Sequence, residues 1–398
     1  TLFIDTDDQL WSCGQGSTAG HGNNGDVYVP ALLNGKGHLP ANAKVVKIGA
    51  RHDWRGGQTS YCITDDHKLY LWGVGDEGNL GNGYANNNSS TDNYYPYHPP
   101  SLADLEIDKC FMGGGERSAT YAITRDGDLY TAGHYEFNFH GRALYTFEKY
   151  MPWHNYDSTI KVVHISTNES WSHTRTTSYP GIATVTTSDG KYWWRSDSVN
   201  NSAPGFSDFT WSKPLSNYGE ENTNVKEAYA RNGDYMTHIV LKNDGTVWSK
   251  GYGGDNNIKG GNSSTWLQLN LPAGETAVKI KCHGSTFASS HCILTNNGKL
   301  YHWGRSDRGQ SGVGINNIDN FITVERDPTE YPRPVLLQDN VLDFGFAGWA
   351  GYDGSNYMYN SLYAITDRDE VWAWGSGSDG EIQEDNHNYR STPNKIFF

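Results

Sequence analysis

Apolar and polar residues alternate in short runs along this chain, and most of the runs end at a glycine. One run recurs: Leu or Val, an aromatic, a variable residue, an aromatic or small residue, then Gly. It reads Leu10-Trp11-Ser12-Cys13-Gly14, Leu69-Tyr70-Leu71-Trp72-Gly73, Leu129-Tyr130-Thr131-Ala132-Gly133, Val247-Trp248-Ser249-Lys250-Gly251, Leu300-Tyr301-His302-Trp303-Gly304 and Val371-Trp372-Ala373-Trp374-Gly375. A degenerate seventh copy is Lys191-Tyr192-Trp193-Trp194-Arg195. Alternation with a period of two is the mark of a strand with one buried face. Six steps carry Gly14 to Gly375, a mean period of about 60 residues.

Each of these anchor runs follows another alternating run and a tight turn. Asp126-Gly127, Asp189-Gly190, Asp244-Gly245 and Asn297-Gly298 adopt positive φ cheaply, so they predict hairpins. Asp8, His67 and Asp369 hold the glycine slot in the other three copies, which predicts a looser turn there. Upstream lies a further strand, as in Val45-Val46-Lys47-Ile48, Ala277-Val278-Lys279-Ile280 and Val341-Leu342-Asp343-Phe344. Further upstream a proline introduces a fourth, as in Tyr331 to Leu337. Four short antiparallel strands cannot bury a face alone, and radial repetition covers those faces. The expected fold is all-β, one seven-bladed β-propeller over residues 1–398 with an irregular unit at about 134–195. Leu2-Phe3-Ile4 enters mid-unit and Thr392 to Ile396 resembles the start of one, so the two ends are expected to share a blade.

Composition narrows the function. A formal charge of −14 argues against direct nucleic-acid binding, which rests on clustered cations. No apolar run is long enough to insert in a membrane as a helix. The chain opens at Thr1 without a signal-like segment, so any targeting segment is expected to lie outside it. Cys13, Cys62, Cys110, Cys282 and Cys292 have no metal-like spacing and read as structural thiols. The tryptophans of the anchor runs read as filling between blades.

The run Thr295 to Gly304, Thr-x-Asn-Gly-x-Leu-Tyr-x-Trp-Gly, followed by Gly309 and Gly312, resembles the repeat of the regulator of chromosome condensation family. The resemblance covers nearly the whole chain and implies seven blades. That family's ultraviolet-B photoreceptor draws tryptophans from a Gly-Trp-Arg-His-Thr repeat, and here only Asp53-Trp54-Arg55-Gly56-Gly57 comes near.

Several motifs are read as structure. Gly73 to Gly78 and Gly375 to Gly380 match a dinucleotide fingerprint but open no helix that would point amides at a pyrophosphate. The Asp- and Gly-rich exits, such as Gly251 to Asn256, match no calcium loop, and His134, His140, His154, His164 and His173 have no convergent spacing. No cofactor, metal or catalytic group is expected.

The candidate site is a set of connections between the Val-x-x-Ile strand and the hairpin. Three are short; three read as longer and carry tryptophan: Arg51 to Thr59, Asn168 to Pro180 and Gly348 to Asn360. Equivalent connections emerge on one face of a propeller, so Trp54, Arg55, Trp171, Arg175, Trp349, Tyr352, Tyr357 and Tyr359 form the candidate binding set. Aromatics with an occasional arginine are the composition of interaction hot spots and sugar-stacking platforms. The competing reading is a plug of the channel by the same loops. Tyr135 to Tyr156, Tyr94-Tyr95-Pro96-Tyr97 and Asn316 to Tyr331 read as further insertions that pack an irregular blade or meet partner chains.

These features predict a non-enzymatic recognition or assembly module with a protein or cell-surface glycan partner, and possible assembly with neighbouring chains. An extracellular or virion setting is favoured over a nuclear or cytoplasmic one, with a virion structural or receptor-binding role. The resemblance implies an alternative, a chromatin-associated exchange factor for a small GTPase. A glycan-active enzyme using loop acids such as Glu116 and Asp234 is the third reading.

Overall fold

The computed structural model describes residues 2–14, 19–22, 27–52, 58–75, 78–84, 93–113, 118–134, 140, 142–155, 157–167, 182–196, 223–231, 237–251, 263–284, 289–304, 306, 309–314, 333–335, 337, 340–349, 359–376 and 389–396. Their strands form seven antiparallel sheets, five of four strands and two of three. The first sheet is β1 (Leu2–Ile4), β2 (Leu10–Gly14) and β3 (Val27–Leu32). The second is β4 (Val45–His52), β5 (Gln58–Thr64), β6 (Leu69–Gly73) and β7 (Asn93–Tyr97). The third is β8 (Ile107–Gly113), β9 (Ala119–Thr124), β10 (Leu129–Gly133) and β11 (Leu144–Lys149). The fourth is β12 (Val162–Thr167), β13 (Ile182–Thr187) and β14 (Tyr192–Ser196). The fifth is β15 (Val225–Arg231), β16 (Thr237–Lys242), β17 (Val247–Gly251) and β18 (Ser263–Gln268). The sixth is β19 (Ala277–Gly284), β20 (Ser289–Thr295), β21 (Leu300–Gly304) and β22 (Arg333–Pro334). The seventh is β23 (Val341–Trp349), β24 (Tyr359–Thr366), β25 (Val371–Ser376) and β26 (Tyr389–Ile396). This is the all-β, seven-bladed propeller expected from the repeat. The chain gathers into two compact units, one centred on Thr1–Thr167 and the other on Ser212–Phe398.

The same backbone hydrogen bond, made at the hairpin turn, recurs between each sheet and the next within a unit. In the first unit Val45 N–H donates to Asp8 O, Ile107 to His67 O and Val162 to Gly127 O, each at 2.8 Å. In the second, Val225 donates to Gly190 O, Ala277 to Gly245 O and Val341 to Gly298 O, again each at 2.8 Å. The turn residue must aim its carbonyl at the neighbour, and that fixes its conformation. Asp8 and His67 therefore take φ of 60° and 62°, close to the 70° to 81° of Gly298, Gly245, Gly190 and Gly127, and Asp369 takes the same conformation at 58°. The looser turn expected at those three positions is not found.

The strand introduced by proline closes the sheet it follows instead of opening the next. β3, β7, β11, β18, β22 and β26 each pair antiparallel with the preceding anchor strand. The chain leaves the anchor at its glycine, turns back, and finds the anchor's free edge as its nearest partner. So Tyr389–Ile396 is the fourth strand of the seventh sheet, and the described ends of the chain do not share a sheet. Tyr94 to Tyr97 lies in β7, an ordinary fourth strand, and Leu144–Lys149 of the aromatic segment fills the same place in the third sheet. Asn316 to Tyr331 lies outside the described residues.

The degenerate anchor is shifted by one residue from its sequence alignment. Thr186 pairs with Tyr192 as Leu294 pairs with Leu300, so Tyr192 fills the leucine slot and is fully buried. Arg195 then stands where Trp303 stands in the sixth sheet.

The core lies between successive sheets. Leu10, Leu33 and Leu39 meet Val45, Cys62 and Trp72; Leu69 and Leu71 meet Ile107, Cys110 and Phe147. In the second unit Ile239 and Leu241 meet Ile280 and Trp303, and Cys292 and Leu300 meet Phe344 and Trp374. Trp72, Trp303 and Trp374 are wholly buried, each worth roughly 1.5–3 kcal/mol or more in apolar area. Trp11, Trp248 and Trp372, two slots earlier in the run, are only half-buried. The glycine exits exist for the buried indoles: a Cβ on Gly20 would stand 2.9 Å from Trp72 Nε1, and one on Gly312 would stand 2.9 Å from Trp374 Nε1. Trp374 Nε1 donates to Gln310 O at 2.8 Å in the same exit.

Candidate interaction face

In the second to seventh sheets the first two strands carry the candidate loops at one end. A bulge near the other end sets a common origin, falling between Val45 and Lys47, Ile107 and Lys109, Val225 and Glu227, Ala277 and Lys279, and Val341 and Asp343. From that origin the ladders run to unequal lengths. They end at Gly113↔Ala119 and Arg231↔Thr237 in the third and fifth sheets, one pair further at His52↔Gln58 and Gly284↔Ser289, and one further still at Trp349↔Tyr359. The seventh sheet's ladder is therefore two pairs longer than those of the third and fifth, about 7 Å at the usual rise of a strand.

The structure thus brings Trp349 and Tyr359 together as directly opposed cross-strand partners. Trp54, Arg55, Trp171, Arg175, Tyr352 and Tyr357 lie outside the described residues. The connection bearing Trp54 is not longer than its counterparts: Arg51 and His52 are paired, so it shrinks to 53–57, beside 114–118 and 232–236 in the third and fifth sheets. Alternation continued through Gln58 and Thr59, and the ladder simply extended.

At the opposite end, lysines staple neighbouring first strands. Lys47 Nζ donates to Asp108 Oδ1 at 2.8 Å, Lys109 Nζ to Val163 O at 2.7 Å and Lys226 Nζ to Val278 O at 2.6 Å, while Lys279 pairs with Asp343. Burial pushes the Asp108 and Asp343 carboxyls up, but the lysine bonds and charges outweigh it and hold both below the ordinary range. Sequence reasoning missed these staples, although the Lys-x-Lys spacing at Lys279 and Lys281 put both cations on one side of a strand.

The histidines are structural where described. Burial pulls His134 down to about 4 and His164 to about 3; His164 meets the Phe111 ring edge-on at 5.5 Å, and His154 Nε2 lies 3.0 Å from Ile160 O. His173 lies outside the described residues. Among the described residues no group of histidine, cysteine and carboxylate side chains could hold a metal ion.

A family model described as the regulator of chromosome condensation (RCC1) repeat matches residues 288–310. RUG3, a mitochondrial RCC1 domain-containing protein of Arabidopsis thaliana, is 28% identical over 368 residues, 88% of this chain and 70% of that protein. The solved structure of yeast RCC1 (Prp20) bound to Kap60 superposes with a TM-score of 0.69 over 99% of this chain and 87% of that one, at 15% identity. The chain thus carries an RCC1-like repeat and an RCC1-like propeller fold. The RCC1-like propeller is also 23% identical to the ultraviolet-B receptor UVR8 of Arabidopsis thaliana, over 94% of its own length and 61% of that protein's. Of the anchor indoles described above, Trp303 falls within the matched segment and Trp374 occupies its slot in the seventh sheet.

Proposed function

We propose that this RCC1-like propeller is a non-enzymatic protein-recognition module whose partner docks on the end of the seventh sheet that carries Trp349 and Tyr359. The observation that carries this is the elongated β23–β24 ladder, which sets Trp349 opposite Tyr359 at the tip of a hydrogen-bonded hairpin. Aromatic anchors on a rigid support lose little entropy on binding and supply most of an interface's energy. The yeast relative was solved bound to Kap60, and a second yeast structure, Prp20p, is described with binding to Gsp1p and histones. Within this reading, the acidic, Asn-, Gly-, Tyr- and Trp-rich composition favours a partner at a cell surface or in a virion.

The test is quantitative affinity capture with the intact chain, Trp349→Ala and Tyr359→Ala, run beside a glycan array and a small-GTPase nucleotide-release assay. Both variants are expected to lose the same protein partner at least about tenfold while melting as the parent does. Binding confined to glycans would move the site to a sugar platform, and accelerated nucleotide release would favour the exchange-factor reading. If a partner binds both variants as tightly as the parent, this face is not the docking surface.

A further inference from the structure

Lys281 occupies a strand position that other sheets give to uncharged residues. Counted from the common bulge, its equivalents are Gly49, Phe111, Tyr229 and Gly345. Phe111 and Tyr229 lean toward the next sheet, Phe111 against His164 and Tyr229 through a 3.0 Å bond from its Oη to Ile280 O. Lys281 leans the same way. Its Nζ lies 5.8 Å from the centre of the Phe344 ring and 3.6 Å from the point where a Cβ on Gly345 would stand. Among the described residues no hydrogen bond leaves this amine, whereas Lys47, Lys109, Lys226 and Lys279 each have an oxygen partner. The bare backbone at Gly345 leaves the amine uncapped on that side.

The surrounding charges do not neutralise it. Asp343, from the seventh sheet, is already engaged by Lys279, and Glu227, from the fifth, also acts on Cys282 and Tyr229. Both acids favour the ammonium form; burial first, and then Lys279 two residues away, disfavour it more, and the amine comes down to about 8. Cys282 beside it is no rival nucleophile, because burial pushes its thiol well above the ordinary range. His283, stacked on Phe346 at 5.4 Å, walls the next position along the strand.

We propose that Lys281 is a reactive amine that accepts an acyl group from an activated donor of the thioester class. The neutral Nζ attacks the thioester carbonyl, the carbon–nitrogen bond forms, the carbon–sulfur bond breaks, and the proton lost from nitrogen leaves with the thiol. The amide removes one cation from the group that Lys279, Asp343 and Glu227 form.

The experiment is competition labelling of the folded chain with substoichiometric acetyl thioester from pH 6.5 to 10.5, read lysine by lysine by peptide mass spectrometry. At pH 7.5 an ordinary lysine is neutral in about one molecule per thousand, while one titrating near 8 is neutral in about one in four. Lower intrinsic nucleophilicity and partial burial offset part of that gain. Lys281 is expected to label at least about tenfold faster than the exposed Lys299 at pH 7.5, with a profile that levels off above pH 8 to 9. Gly345→Val, which caps the amine, is expected to slow Lys281 several-fold and leave Lys299 unchanged, and unfolding in urea is expected to bring the two rates together. Equal labelling of Lys281 and Lys299 in the folded parent chain, or an advantage that survives urea, overturns the proposal.

Discussion

At the scale of single residues, the turn position shows a demand of the fold overriding a local preference. His67 takes φ of 62° so that its carbonyl can accept the Ile107 N–H, a conformation that costs an L-residue roughly 1–2 kcal/mol. Glycine would escape that strain but lose more entropy on folding, about 0.5–1 kcal/mol. His67→Gly is therefore expected to be neutral or to stabilise by up to about 1 kcal/mol in urea unfolding. Gly298→Ala, at φ 70° with a new Cβ 2.7 Å from that of Asn340, is expected to destabilise by at least about 1 kcal/mol. Marked destabilisation by His67→Gly would show that the imidazole supports more than the turn. The sequence marked four of the turns by the local signals Asp-Gly and Asn-Gly, and the other three by their place before the anchor run. It misjudged Asp8 and His67 because the hydrogen bond that compels them comes from another sheet.

At the scale of elements, what was legible divides along the same line. Anchor runs, hairpins and the Val-x-x-Ile strand are written in alternation within a few residues, and each was found where expected. The phase of the fourth strand and the one-residue shift at Tyr192 were not, since both depend on which edge a strand meets. Trp349 and Tyr359 were legible as aromatic loop residues, but their direct opposition needed the ladder. The glycine exits became intelligible only beside the indoles they meet. Gly312, at φ 65°, has Val335 Cγ1 at 2.8 Å and Trp374 Nε1 at 2.9 Å from the place of a Cβ. Gly312→Val is expected to cost about 3 kcal/mol or more, from overpacking and a β-branched residue at positive φ together. A chemical-denaturation midpoint close to the parent's would mean that the exit can move away from Trp374.

At the scale of the whole molecule, the buried histidines set the dependence of stability on pH. His164 lies in the first compact unit and His238 in the second, and burial holds their imidazoles down to about 3 and about 4. Unfolding releases both to roughly 6.5. Between those values the unfolded chain binds more protons than the folded one, so this contribution is full above about pH 6.5 and is lost as pH falls toward 4. The lysine-held carboxylates act lower: Asp108 and Asp343 sit below the ordinary carboxylate range when folded, so their contribution fades only below about pH 4. The first loss on acidification is thus a histidine loss felt in both units. Urea midpoints measured at pH 7.5, 6.5, 5.5 and 4.5 are expected to stay level above 6.5 and then fall, with a few kcal/mol lost in total by pH 4.5. His238→Gln removes one of the titrating groups, and its curve should fall less steeply than the parent's over the same interval. A midpoint that holds level down to pH 4.5 would mean that these imidazoles are already charged, or remain uncharged in the unfolded chain.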